Sequence, residues 1–417
     1  MPVVRSHVNL VLLLALAQGG FARAQEPVPA ANTVVTLERA VGLAQANSPV
    51  LRQSRARIEQ AQGLAIQAGL YPNPQQNSGN PNQFGGTNSL YSVGFSQEIV
   101  RAGKLQLNQS AAQQAVRQAN LEYIRQRFEL LTAVRQQFFA VLAAQKRVET
   151  LRDMRKIAQQ SQDTGVKLFQ REQTGEADSL LLRIDLRRVE ASFRSTEFVL
   201  ASGKQQLAAL VGLPDMKIDR VDADLAMPLP NFDDPQVREQ LLIGSSLVES
   251  ARAEIVRTQF LLQRAEVEVI PNLIVNSGYQ WSVNNPHSQA LVGLYFNVPI
   301  WDRNQGNIRA AGANVRQSVA QLNSVQNDLL RQLADALGRF RAAQKTVEYY
   351  ESGILPDAQR TLDLAQKGYQ GGQLDFLRML ATQRSVFDAN LEYVAALQDR
   401  LTAAAAIAGL LQLERFP

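Results

Sequence analysis

The chain reads as a mainly α-helical fold with a small β part, assembled from a duplicated unit of helix, β-hairpin, long helix and return helix. Three observations predict this. First, the segment from Ala111 to Glu149 recurs without a gap 199 residues on: Ala111-Ala112 falls on Ala310-Ala311, Val116-Arg117-Gln118 on Val315-Arg316-Gln317, and Ala143-Ala144-Gln145-Lys146 on Ala342-Ala343-Gln344-Lys345. Second, apolar residues in both copies return every seven positions. Tyr123, Leu130 and Leu151 run with Val134, Val141 and Val148, and Leu322, Leu329 and Tyr350 run with Leu333, Phe340 and Val347, the rhythm of long helices packed as coiled coils. Third, the segment ahead of each rod changes to a period of two, the mark of a strand.

The amino terminus has the layout of an export signal: Arg5, an apolar run from Val8 to Ala17, then Ala22-Arg23-Ala24 before Gln25. Residues 1–24 are therefore assigned to a signal peptide. That apolar run is well short of the roughly 20 residues a spanning helix needs. Cysteine is absent, which removes disulfides, thiolate metal sites and a lipid-bearing amino-terminal cysteine. The formal charge of +5 falls to +3 without Arg5 and Arg23, and charges of both signs are interspersed along the helices, so nothing points to nucleic acid.

Residues 25–213 form the first repeat, 214–235 a connector and 236–417 the second. From Thr36 to Leu70 the pattern is helical, with a break at Asn47-Ser48-Pro49 and an end at Pro72. Strands fall within about 72–100, where Tyr91, Val93, Phe95 and Ile99 alternate with small or polar residues, after a weaker strand and an Asn- and Gly-rich loop. The second pair lies within about 271–300. Val275, Tyr279 and Trp281 line one face of its first strand, and Val292, Leu294, Phe296, Val298 and Ile300 line one face of its second, with Asn284 to His287 as the loop. Pro271-Asn272 and Asn276-Ser277-Gly278 repeat Pro72-Asn73 and Asn77-Ser78-Gly79 at the same offset.

Such hairpins can pack on the protein's own helices or cross a bilayer. Strands of about ten residues suit a tilted crossing, and Tyr91, Tyr279 and Trp281 are amphipathic aromatics of the membrane-interface kind. Four strands cannot close a bilayer barrel, which needs about eight, and an open edge in lipid leaves backbone groups unpaired. A membrane reading therefore requires copies of the same chain.

The first rod runs over about 103–172 and the second over about 306–369, with a kink expected near Gly353 and Pro356. Each ends in a turn, at about 173–178 and 368–375, and doubles back. At an offset of 197, Gly175 matches Gly372, Asp178 matches Asp375 and Gly212-Leu213 matches Gly409-Leu410. Asp178 and Asp375 fall at helix starts, where a carboxylate caps the helix and favours its dipole; several copies together would also ring the tip with acid. Gly175, Gly371 and Gly372 are expected to serve backbone geometry. Enzymatic chemistry has little material, since only His287 remains beyond the signal and it lies in a loop. No resident cofactor is expected.

This order of elements resembles the TolC-like outer-membrane efflux proteins over nearly the whole mature chain. The turn Gly368-Tyr369-Gln370-Gly371-Gly372 with Leu377 and Leu380 is similar to that family's periplasmic tip, and Gln67-Ala68-Gly69-Leu70-Tyr71-Pro72-Asn73-Pro74 resembles the CzcC-like heavy-metal branch. The resemblance implies a homotrimer whose four strands per chain make a 12-stranded outer-membrane β-barrel above a trimeric α-barrel, docked to a periplasmic adaptor and an inner-membrane pump of the RND type. It implies passive export of heavy-metal cations or drugs, outer-membrane lipid around Tyr91, Val93, Phe95, Val292, Leu294, Phe296, Val298 and Ile300, and adaptor contact at Gly175, Tyr369, Gly371 and Gly372. Arg378 and Ala381 stand where family members carry acidic rings, so with Asp178 and Asp375 the tip gains a cationic position. The competing class is a periplasmic structural or adaptor coiled-coil protein; that would carry extra β-rich domains around one helical hairpin, where this chain offers two hairpin-plus-rod units.

Overall fold

The computed structural model describes residues 33–79, 90–171, 175–230, 232, 236–282, 288–370, 373–374 and 376–416. The expected signal peptide, His287, Gly371, Gly372 and Asp375 lie outside them. The chain opens with β1 (Thr33–Val35), α1 (Leu37–Asn47) and α2 (Pro49–Ala68). Thr36 caps α1, its hydroxyl accepting from the Arg39 N–H at 3.3 Å, and Pro49 occupies the first turn of α2, where its missing N–H costs nothing.

Strands β2 (Gln75–Gly79) and β3 (Leu90–Ile99) follow, then α3 (Lys104–Gln170), 67 residues long and so about 100 Å end to end. Helix α4 (Glu176–Leu210) returns beside it. Gly212 turns the chain out of α4 at φ +78°, and a Cβ there would stand 2.8 Å from the Asn47 carbonyl oxygen, so only glycine fits. After β4 (Ile218–Val221) come α5 (Gln236–Gly244), α6 (Ser246–Glu266), β5 (Leu273–Ser282) and β6 (Gln289–Tyr295). The second rod is α7 (Gln305–Tyr349), a π-helical turn at Tyr350–Ile354, and α8 (Leu355–Gln370); α9 (Phe376–Leu410) returns.

One sheet has the order β2-β3-β5-β6, antiparallel throughout, with β2 and β6 as its edges. Below it the helices form a wall in a matching order: α2, α3, α6, α7 across the upper level, and α4, α3, α9 and then α7 and α8 across the lower. First-repeat elements thus form one edge at every level, and second-repeat elements the other.

The core sits at mid-height. Val134, Phe138, Phe139 and Val141 of α3 pack there with Leu37 and Ala40 of α1, Leu207 of α4, and Leu397 and Leu401 of α9. A fully buried Phe contributes about 1.5–3 kcal/mol, so the pair Phe138 and Phe139 is a large local anchor. The connector, which looks aperiodic in sequence, wraps this core. Its β4 pairs parallel with β1, while Met216, Ile218, Val221, Leu225 and Phe232 are buried, and Gln145 binds both the N–H and the carbonyl of Val221.

Candidate functional site

The sheet has two chemically distinct faces, and the register shows it. Tyr91 faces Trp281, Val93 faces Tyr279, Val275 faces Leu294, and Phe95 and Val292 share that side. Tyr91 and Trp281 stack at 5.9 Å between ring centroids. The opposite face is mostly small or polar: Ser92, Gly94, Ser96, Asn276, Gly278 and Gln280. Alternation at the strand period puts a lipid-compatible surface on one side and a water-compatible one on the other. The apolar side is not covered by the chain's own helices: Val292 is 84% exposed, Phe296 52% and Ile300 58%. No described helix is long and apolar enough to cross a membrane.

The expected strand run through Phe296, Val298 and Ile300 needs correcting. β6 ends at Tyr295, and these three residues stand in an irregular segment in which the Ile300 N–H donates to the Val298 carbonyl at 2.9 Å. The physical reason is that β6 is an edge, so past Tyr295 no neighbouring strand holds the chain extended. Tyr91, Val93, Phe95, Val292 and Leu294 do lie in strands.

Sheet and wall are locked together at their junction by Lys104, which is only 2% exposed. Its ammonium donates to the Asn272 side-chain oxygen at 3.1 Å and lies 3.7 Å from Glu268, while the Asn272 amide donates to Glu98 at 2.6 Å. A buried cation is tolerated only when paired and hydrogen-bonded, and this one is both. Farther down, Arg257 donates twice to Glu254 at 2.7 Å and Gln118 donates to the same carboxylate at 2.9 Å, holding the Glu254 carboxyl below the usual range and tying α3 to α6.

Below the core the two hairpins, α3/α4 and α8/α9, run to the tip. Arg384 of α9 reaches Asp185 of α4 at 2.5 Å, a bridge between the repeats that no sequence signal announces. At the tip Asp178 lies half-buried in the first turn of α4 beside Glu176, its N–H donating to the Gly175 carbonyl at 3.2 Å. Gly175 itself departs from expectation. Its φ of −73° and ψ of 159° suit any residue, and a Cβ there meets nothing within 4 Å, so the backbone does not demand glycine. Toward the tip, the described glycines with tight surroundings are Gly165, packed against Leu182 of the return helix, and Gly368, where a Cβ would meet Leu374 at 2.7 Å. Gly368 also closes the second turn, its carbonyl accepting from Gln373 at 2.8 Å and Leu374 at 3.1 Å. Tyr369 falls near the end of α8, and Arg378 is exposed in the first turn of α9.

A kink near Gly353 and Pro356 takes the form of the π turn. Leu355 donates back to the Tyr350 carbonyl, five residues away, directly before Pro356, which has no N–H to give. Two crossed hydrogen bonds pin it to α9: the Tyr350 hydroxyl to Glu392, and the Tyr393 hydroxyl to Glu351 at 2.8 Å.

Comparison with known proteins agrees with this geometry. Residues 237–411 match the family described as outer membrane efflux protein. Over 374 residues, covering 89% of either chain, the sequence is 25% identical to the cobalt-zinc-cadmium resistance protein CzcC of Cupriavidus metallidurans. Solved structures share the fold: CusC superposes with a TM-score of 0.78 at 18% identity, covering 90% of this chain and 91% of that one. The CmeC outer membrane channel of Campylobacter jejuni gives 0.76 at 16%, covering 91% and 87%. The family match is thus carried by residues 237–411, while the fold of the solved outer membrane channels is shared over nine-tenths of the chain. Over almost all of its length its sequence likeness is to a CzcC-like protein.

Proposed function

We propose that three copies of this chain form the outer-membrane conduit of a tripartite efflux system that exports heavy-metal cations. The observation that carries this reading is the pair of open edges on the same sides of sheet and wall. A wall with two unlike open edges closes only by meeting further copies of itself, and four strands from each of three chains make a barrel of 12. The helical edges are correspondingly apolar: Phe198 of α4 is 76% exposed on the first-repeat edge, and Tyr349 and Leu364 are exposed on the second.

In this reading the polar strand face and the inner helix faces line a water-filled path. Transport is passive at this protein, and energy enters at an inner-membrane RND-type pump joined through a periplasmic adaptor. The tip turns, with Gly175, Tyr369, Gly371 and Gly372, meet the adaptor, while Asp178, Asp375 and Arg378 ring the opening. Likeness to a cobalt-zinc-cadmium resistance protein supports the cargo class. The test has two arms. Detergent-solubilised protein should have the mass of a trimer in sedimentation, and a strain lacking it should become sensitive to cobalt, zinc or cadmium. A monomer in detergent overturns the conduit; unchanged metal tolerance, with partner pumps intact, overturns the cargo.

A further inference from the structure

The duplication extends to hydrogen-bond register. Gln75 pairs with Ser96 in the first hairpin and Ile274 with Tyr295 in the second, each position displaced by 199. The two hairpins are therefore one hairpin used twice. They are joined by a seam, β3 against β5, whose paired residue numbers always sum to 372, from Leu90 opposite Ser282 to Ile99 opposite Leu273. In the second repeat β6 holds the place of β3, and in the first β2 holds the place of β5.

Resting on the ring reading above, we propose that neighbouring copies join by this same seam in this same register. β6 of one copy then runs against β2 of the next, with Leu294 opposite Ser78, Tyr295 opposite Asn77, Phe296 opposite Gln76 and Val298 opposite Pro74. Three features support the register. Sidedness comes first: Leu294 lies on the apolar face, and so do Gln76 and Ser78, which face Phe95 and Val93. A slip of one residue would set apolar against polar faces.

Glycine separates this register from a slip of two. At the internal seam Gly94 faces Gly278, and a Cβ on Gly94 would lie 2.8 Å from the Ser277 carbonyl oxygen. Shifted by the repeat, Gly293 faces Gly79 and the same close approach recurs, whereas a slip of two places Gly293 opposite Asn77. The third feature is the shortened strand. β3 pairs with β5 through Ile99, but β6 stops at Tyr295. Residues 296–298 correspond to 97–99, and the next copy supplies the partner they lack.

At the foot of the seam Asn73 stands where Asn272 does in the internal junction, but exposed and with no side-chain bond among the described residues. Asn297 and Arg303, both exposed, stand at the repeat positions of Glu98 and Lys104. Asn297 lines an open cleft of about 790 Å³ bordered by Tyr295, Phe296, Val298 and Trp301, and Arg303 follows directly on its Asp302 wall. Asn73 of the next copy enters it and bonds both. The copy of the lock is imperfect: Asn304 is left-handed at φ 59°, α7 starts at Gln305, and Gly69 replaces Glu268. Arg303 therefore reaches from a turn, without a carboxylate.

The chain has no cysteine, so engineered pairs report cleanly. Leu294→Cys with Ser78→Cys, and Phe296→Cys with Gln76→Cys, should yield covalent trimer on mild oxidation of the detergent-solubilised protein. The exchanged combinations, Leu294→Cys with Gln76→Cys and Phe296→Cys with Ser78→Cys, use the same four substitutions and should cross-link at least tenfold more slowly. Equal or faster linking in the exchanged combinations, or none in either set within a protein of trimeric mass, overturns the register. A parent protein of monomeric mass overturns the ring itself.

Discussion

The two rods descend from one sequence and behave differently. α3 is an unbroken helix of 67 residues in the middle of the wall, with neighbours on both sides; α7 and α8 form the edge and are split by a π turn. Phe139 is fully buried in the core, while its repeat partner Gly338 has open space around it. Arg117 and Gln118 bind Glu249 and Glu254 of α6, but their partners Arg316 and Gln317 are exposed. Position in the wall, rather than ancestry, decides how a helix is specified: the central copy is held by packing, and the edge copy by a few polar pins.

The largest effect that can break this contrast is in the core. Phe139→Ala should cost about 3–5 kcal/mol, whereas Gly338→Ala should raise stability by about 0.5–1 kcal/mol through backbone entropy. Denaturant unfolding of both variants measures it, and similar costs would show the rods to be equivalent.

A smaller effect tests the polar pins. Burial, and then the Glu351 carboxylate, push the Tyr393 hydroxyl up to about 12. Only the neutral hydroxyl donates, so stability from this group is complete below the ordinary tyrosine value of about 10 and is lost as pH rises toward the folded value. Tyr350→Phe with Tyr393→Phe should cost about 1 kcal/mol and flatten that alkaline loss in melting curves taken across pH. An alkaline slope unchanged from the parent would assign it elsewhere.

The smallest effect belongs to the α3–α6 tie. The Glu254 carboxyl is held low chiefly by its hydrogen bonds from Arg257. Its contribution is present above the ordinary value of about 4.3 and is lost as pH falls from there through the lower folded value. Glu254→Gln should reduce the acid dependence of melting by no more than about 0.5–1 kcal/mol, with Arg316→Ala on the edge rod as a variant expected to change nothing.

Much of the wall was legible beforehand because its signals are local and repeated. The sevenfold rhythm through Val134, Val141 and Val148 returns as buried residues of α3, and Leu329, Leu333, Phe340 and Val347 as those of α7. Alternation at Tyr91, Val93 and Phe95 gave the faces of β3 but not the end of β6, an edge strand that nothing on its outer side holds extended past Tyr295. The site was legible less well. Gly175 looked like a backbone requirement and is not one, while Asp185 and Arg384 meet across 199 positions with no motif to pair them.

By itself the sequence determined the duplication, the helical and strand periods, and the separation of the sheet into apolar and polar faces, because side-chain direction follows from spacing along a regular backbone. Tertiary structure alone decided that the connector becomes a belt with β4 against β1, that Lys104 and Asn272 lock sheet to wall, and that the kink at Pro356 is a π turn pinned by Tyr350 and Tyr393. Those contacts join residues distant along the chain, and whether a polar side chain finds its partner depends on where the packed helices place it.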